Sequence, residues 1–165
     1  MHTLSVAVAI ACAVNGGVFF AFSSFVMRAL ARMPPPHGMA AMQSIDLVVI
    51  NPLFMTTLFG TGFACAGLAA YAVLQWTGAA SAFLLAGSVS YLLGTIAVTM
   101  VCNVPLNNAL AAMDPATAEA QTFWDTYVRA WTAWNHVRTI SGIVAAGLLL
   151  TAIQLASSLT PGSGS

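Results

Sequence analysis

The sequence predicts an all-α protein, a four-helix transmembrane bundle with an amphipathic cytoplasmic helix ahead of the fourth span. Hydrophobic residues make up 59% of the 165-residue chain, and mean hydropathy is +0.89. Charge is nearly absent, with four Arg, no Lys and four acids, far short of the roughly one quarter that covers a soluble domain. Polar residues also gather at a few places instead of recurring along each helix. A spanning helix needs about 20 mainly apolar residues, and four runs meet that requirement: Thr3 to Met27, Pro52 to Leu74, Ala79 to Cys102 and Thr139 to Leu159. Residues 1–159 are therefore expected to form one transmembrane domain, and residues 160–165, TPGSGS, a flexible tail that is partly a cloning remnant.

Arg28, Arg32, Arg129 and Arg138 all fall in the first or third connection, while the tails and the Gln75 to Ala80 turn carry no basic residue but His2. The positive-inside rule then makes both longer connections cytoplasmic and puts both termini outside, as expected for a bacterial inner-membrane protein. Met1-His2-Thr3 lacks a basic leader and the apolar run behind it is long, so the first segment reads as a retained span. Cys12, Cys65 and Cys102 lie in three different spans with no CxxC pair, so they read as small buried hydrophobes and not as a disulfide framework.

Span one carries Asn15-Gly16-Gly17 near its midpoint. An unpaired amide is costly in hydrocarbon, so Asn15 is expected to face other helices, with the glycines allowing close approach. The following Met33-Pro34-Pro35-Pro36-His37-Gly38 reads as non-helical, because each Pro disfavours the helical region for the residue before it. A short helix is expected over Met39 to Ile50, then Asn51 as a cap and Pro52 in the first turn of span two. Asp46, the only acid of this half, either pairs with Arg28, Arg32 or Arg138 or serves as a proton acceptor or ligand.

Span three ends in VCNVPLNN, residues 101–108, where the helix is expected to break near Val104. Freed backbone groups and amides at membrane depth are tolerated where they line a polar cavity. Asp114-Pro115 supplies the next cap and first-turn pair, and Ala116 to Ser141 contains no Gly or Pro. One helix can run through this stretch into span four, or bend at the membrane surface. Along it, Phe123, Tyr127, Trp131 and Trp134 form one stripe; Trp124, Val128, Trp131, Asn135 and Arg138 form its neighbour; and Asp125 can pair with Arg129.

The stretch Trp131 to Thr139, WTAWNHVRT, is polar where the chain should be apolar. Interfacial placement accounts for Trp124 and Tyr127 but less well for the crowding of Trp131, Trp134, Asn135, His136 and Arg138 into two turns. An aromatic shelf beside an amide and a guanidinium suits a flat, hydrophobic, oxygenated ligand. His2, His37 and His136 show no metal-binding spacing, so a histidine-rich metal site is not expected. A site joining one His to Asp46, Gln43 or Asn stays open. No phosphate loop, serine elbow, catalytic carboxylate pair or nucleic-acid-binding basic stripe is present, and four short spans without a repeat argue against transport.

Three segments resemble one family in one order: MQSIDLVVINPLF (Met42 to Phe54), VTMVCNVPLNNAL (Val98 to Leu110) and WTAWNHVRT. They are similar to the signatures of the anthrone-oxygenase-like small membrane proteins, and the resemblance runs from the first span to the fourth. Its matching positions here are Gln43, Asn51, Pro52, Asn103, Pro105, Asn107, Asn108, Trp131, Trp134, Asn135 and Arg138. The resemblance implies oxidation of an anthrone at its central methylene to an anthraquinone with molecular oxygen. Such chemistry needs a flat apolar pocket, a base, and donors for a developing oxyanion. The expected wall is Trp131 and Trp134, the base His136 or Asp46, and the donors Arg138 with Asn107 or Asn135. Asn103, Gln43 and Asn51 complete the expected substrate contacts. Cofactor-independent oxygen chemistry, a haem and a copper are all compatible with this reading, as is a homo-oligomer. The competing class is a non-enzymatic membrane protein that binds a quinone, a lipid or a haem or copper cofactor in the same pocket.

Overall fold

The computed structural model describes residues 2–158, so the expected tail, residues 160–165, lies outside the described residues. Every element among them is helical. Four helices are long and apolar enough to cross a membrane: α1 (His2–Ala31), α3 (Pro52–Leu74), α4 (Ala79–Ala111) and α5 (Ala118–Ser158). A fifth, α2 (Pro35–Val49), precedes α3. The protein is an all-α membrane bundle.

Three of the four long helices overrun their expected spans. At 1.5 Å per residue the 41 residues of α5 reach about 60 Å, twice the roughly 30 Å hydrocarbon core. The expected amphipathic helix is thus the first half of an unbroken α5. Its start is set by Thr117, whose hydroxyl accepts from the Ala120 N–H at 3.3 Å, while Asp114 accepts from Ala116 N–H at 2.9 Å in the turn before it.

Two boundaries differ from expectation, both through proline. Helix α2 begins at Pro35 and not after Gly38, because Pro35 and Pro36 occupy its first turn, where a missing N–H costs nothing. Helix α4 does not break near Val104. Its backbone runs as π-helical turns over Leu92–Ala97 and Thr99–Asn103 and returns to α-geometry at Val104–Ala111. The widened turns give the ring of Pro105 room against the preceding carbonyls. A third π-helical turn, Phe22–Val26, interrupts α1, where Ser24 Oγ donates back to the Phe20 carbonyl at 2.7 Å.

Helices α1 and α5 run antiparallel in direct backbone contact. A Cβ on Gly142 would lie 3.0 Å from Gly16 Cα and 3.2 Å from the Cys12 carbonyl oxygen, and one on Gly16 would lie 3.3 Å from the Ile143 backbone nitrogen, so the close crossing favours glycine on both sides. Asn15 is buried and donates across the interface to the Thr57 carbonyl of α3 at 3.3 Å. One core gathers small and branched side chains around Cys12, Cys65, Leu68, Tyr91 and Leu149; the free Cys12 and Cys65 thiols touch there at 4.0 Å. A second core, at the arginine-bearing end, gathers Met27, Met39, Met42, Leu110, Trp124 and Tyr127.

Helix α2 is held on this second core at Gly38, where an added Cβ would sit 2.6 Å from the Leu30 carbonyl oxygen and 3.0 Å from the Trp124 ring. Gly38→Ala is expected to lift α2 and destabilise the fold by about 1–3 kcal/mol. Gly17→Ala, where nothing lies within 4 Å of the new carbon, should leave the melting temperature in detergent unchanged. Equal melting of the two variants would show that the Gly38 contact does not hold α2.

Candidate functional site

Beside the second core, whose Met42 and Trp131 line it, lies a cavity of about 630 Å³, within the roughly 300–1,000 Å³ usual for small-molecule sites. Its walls are mostly apolar and aromatic, with Phe19 and Phe22 from α1, Met42 from α2, Phe54, Leu58 and Phe59 from α3, and Trp131 from α5. Into this apolar space project Gln43 and Asp46 from α2, Thr99, Asn103, Asn107 and Asn108 from α4, and Arg138 from α5. Thr99, Asn103 and Asn107 recur every fourth position along α4, with Asn108 beside the last, and the π-helical turn Thr99–Asn103 spans the first of these intervals.

Asn107 organises the site. Its Oδ1 accepts from Trp131 Nε1 at 2.8 Å and from the Tyr127 hydroxyl at 3.0 Å. Two donors on one oxygen fix the amide orientation, so Nδ2 must face the other way, where it donates to Asp46 Oδ1 at 2.9 Å. The second carboxylate oxygen, Asp46 Oδ2, is buried with no hydrogen-bond partner among the described residues. Among the described residues Asp46 forms no ion pair with Arg28, Arg32 or Arg138, in contrast to the expected structural role, and Asp125 and Arg129 do not pair with each other. Burial pushes the Asp46 carboxyl up to about 6, with the Arg138 charge pulling in the opposite direction.

Arg138 is buried at 5% exposure. Its guanidinium lies over the Phe19 ring at 4.4 Å and the Trp131 ring at 4.9 Å, an arrangement that offsets part of the cost of desolvating it. One arm donates to Asn135 Oδ1 at 2.6 Å. Asn135 is itself tied to α1, donating to the Phe19 carbonyl at 2.7 Å and to Ser23 Oγ at 2.8 Å. Among the described residues Arg138 Nε, like Asp46 Oδ2, has no hydrogen-bond partner, and the same holds for Asn103 Oδ1, whose Nδ2 donates to the Trp131 carbonyl at 3.2 Å. Buried polar atoms without partners are uncommon, and here three of them belong to residues that line one cavity.

A family model described as Anthrone oxygenase matches residues 52–148, more than half of the chain. The chain belongs to the anthrone oxygenase family. No curated protein and no solved structure matches it. In this anthrone oxygenase family member, Asn103, Asn107, Trp131, Asn135 and Arg138 fall inside the matched region, whereas Gln43, Asp46 and Phe19 come from the helices before it.

Not every expected site residue reaches the cavity of this anthrone oxygenase family member. Trp134 and His136 are exposed and line no wall of it: α5 turns its 131, 135 and 138 positions inward, His136 falls on the far side of the helix, and Trp134 falls on its exposed edge beside Arg138. Asn51 is a cap, accepting from the Phe54 N–H at 3.0 Å and donating to the Val48 carbonyl at 3.0 Å. Gln43 lines the cavity, yet its amide donates to the Leu110 and Met113 carbonyls at 2.8 and 3.0 Å and so fastens α2 to the end of α4. Tyr127, Phe19 and Ser23 take part although sequence reasoning had not placed them there. Tyr127 stood four residues before Trp131 on the aromatic stripe, a usable signal; Phe19 and Ser23 gave none. Among the described residues no three His, Cys, Asp or Glu side chains gather as metal ligands. The polar side chains that line the cavity are a carboxylate, a guanidinium, amides and a hydroxyl.

Proposed function

We propose that this protein oxidises an anthrone-type polycyclic substrate at its central methylene with molecular oxygen, from a cavity at the cytoplasmic side of the membrane. The observation that carries the reading is the separation of Asp46 and Arg138. Both line one apolar cavity, each with an unpartnered polar atom, and neither closes on the other as an ion pair. In an anthrone the acidic methylene and the carbonyl stand on opposite sides of the central ring. A ring held against Phe19, Phe22 and Trp131 can therefore present its methylene to the carboxylate and its carbonyl oxygen to the guanidinium.

Asp46 takes a methylene proton, and the negative charge spreads to the carbonyl oxygen beside Arg138. The electron-rich anion reduces oxygen and combines with it at the same carbon, Asp46 returns the proton, and the resulting hydroperoxide loses water to leave the second carbonyl. One oxygen molecule is consumed per substrate, with one atom in the quinone and one in water. The Asn103 Oδ1 acceptor suits a ring hydroxyl. Leu47, Val48, Ile50 and Leu53 expose large apolar surfaces where α2 passes into α3, at 77, 71, 71 and 80%, and Leu47 and Ile50 also line the cavity. Such a surface suits substrate arriving from the bilayer. All four arginines lie at this end, which by the positive-inside rule supports a cytoplasmic position for it.

The test is oxygen uptake by the purified protein supplied with an anthrone, corrected for spontaneous oxidation, with quinone quantified in parallel. Uptake above background at one oxygen per quinone supports the reading. Saturable anthraquinone binding without uptake would replace it with the binding-protein class. His136→Gln is expected to retain turnover within about twofold, because an outward imidazole cannot reach substrate in this cavity; loss of turnover would return the base assignment to His136.

A further inference from the structure

On the outer face of the α1–α5 pair, behind the substrate cavity, lies a second and shallower cavity of about 320 Å³. Its apolar floor is Met27 and Ala31 from α1 with Val128 and Ala133 from α5, and Arg28, Arg129 and His136 stand around it. No acid lines it. Asp125, one turn before Arg129, is outside the lining and forms no ion pair. Two arginines from different helices thus converge on an apolar hollow without a counter-charge, in a chain that has only four.

A second, independent feature points to a ligand. Thr132 also lines this hollow, and its Oγ1 is buried without a hydrogen-bond partner among the described residues. Elsewhere along these helices hydroxyls bond back to the carbonyl one turn earlier, as Thr139 does to Asn135 at 2.9 Å. Ile140 and Val144, one and two turns beyond His136 on the same face, expose apolar surface at 60 and 43%.

We propose that this hollow binds the headgroup of an anionic phospholipid, with the phosphate between Arg28 and Arg129, the Thr132 hydroxyl donating to it, and an acyl chain lying along Ile140 and Val144. Charge-assisted hydrogen bonds from guanidinium to phosphate are the strongest contacts available at such a site. The apolar floor and the adjoining strip distinguish it from a site for a free anion. The His136 ring edge can add a further donor to the headgroup. This site is separate from the substrate cavity and does not depend on the reaction carried out there.

The experiment is a thermal melt of the full-length protein in neutral detergent with phosphatidylglycerol, phosphatidylcholine or inorganic phosphate added in increasing amounts. Phosphatidylglycerol is expected to raise the melting temperature saturably, with phosphatidylcholine and phosphate much less effective. Arg28→Gln with Arg129→Gln should weaken the apparent phosphatidylglycerol affinity about tenfold or more, while Arg32→Gln, outside the lining, leaves it unchanged. Both substituted arginines are exposed, so the fold tolerates their loss; if the double variant fails to fold, Thr132→Val is read in its place. Equal responses to the two lipids, an equal response to inorganic phosphate, or a phosphatidylglycerol response undiminished in the variants would each overturn the proposal.

Discussion

Asp46→Asn is expected to lower turnover by about 10²–10⁴-fold, the usual contribution of a positioned general base, while leaving the bundle folded. The amide keeps the acceptor that Asn107 Nδ2 needs at 2.9 Å but cannot take a proton. The pH profile identifies the group. Burial holds the Asp46 carboxyl near 6, above its ordinary 3.8, and the base acts in its ionised form. Turnover of the unaltered protein should therefore rise as pH increases through about 6 and then level off, and the residual activity of Asp46→Asn should lack that limb. For stability the sign is reversed. A raised carboxyl pKa means the folded chain retains a proton that the unfolded chain releases, so this group's favourable contribution is complete below about 4 and is lost as pH rises through about 6. Asp46→Asn should remove that decline from the detergent melting profile as well. An unchanged acid limb in the variant would exclude Asp46 as the base.

Arg138 is expected to show the second-largest effect, a loss of about 10²–10³-fold on removal, as for a single preorganised donor to a developing oxyanion. Arg138→Lys tests this most cleanly. It keeps a cation near Phe19 and Trp131 but not the planar fork that both stacks between rings and donates sideways. Its turnover should fall nearly as far as that of Arg138→Met while the melting temperature stays close to the parent. In Arg138→Met the Asn135 Oδ1 acceptor loses its 2.6 Å donor, a cost of about 1–3 kcal/mol, partly offset by no longer burying a charge. The Asn135 bonds to Phe19 and Ser23 remain to hold α1 against α5. Turnover within a few-fold of the parent in both variants would remove Arg138 from the reaction.

Asp46, Asn107 and Arg138 were identifiable from sequence because each is a polar side chain where hydrocarbon would otherwise surround it, and such a residue must find a partner or line a cavity. Trp134 and His136 were included for the same reason, since they share the WNHVR run. What separates them from Trp131 and Arg138 is where the rotation of α5 sets its exposed boundary, with Trp134 just outside it and His136 on the far side. That rotation is set by the Gly16–Gly142 crossing and the Asn135 bonds to α1, both of which depend on residues more than 100 positions away. Phe19 and Ser23 were invisible for the converse reason: an apolar residue and a small hydroxyl inside a span look the same whether they face lipid or a guanidinium.

The sequence by itself determined the fold class, the four membrane-crossing helices and the end of the bundle at which polar chemistry concentrates, because hydropathy and charge act on every residue regardless of its neighbours. It also determined the cap at Asn51, which bonds only along the chain. The tertiary structure decided how proline would be absorbed. Pro35 and Pro36 could end a helix or begin one, and Pro105 could break α4 or be carried by widened turns. Packing against Trp124 and the second core selected between these local options, each only a few kcal/mol apart. The tertiary structure also decided that Asp46 would bond to Asn107 and not to an arginine. That choice leaves one carboxylate oxygen and one guanidinium nitrogen unpartnered at the walls of the same apolar cavity, a relation between distant side chains that no local pattern encodes.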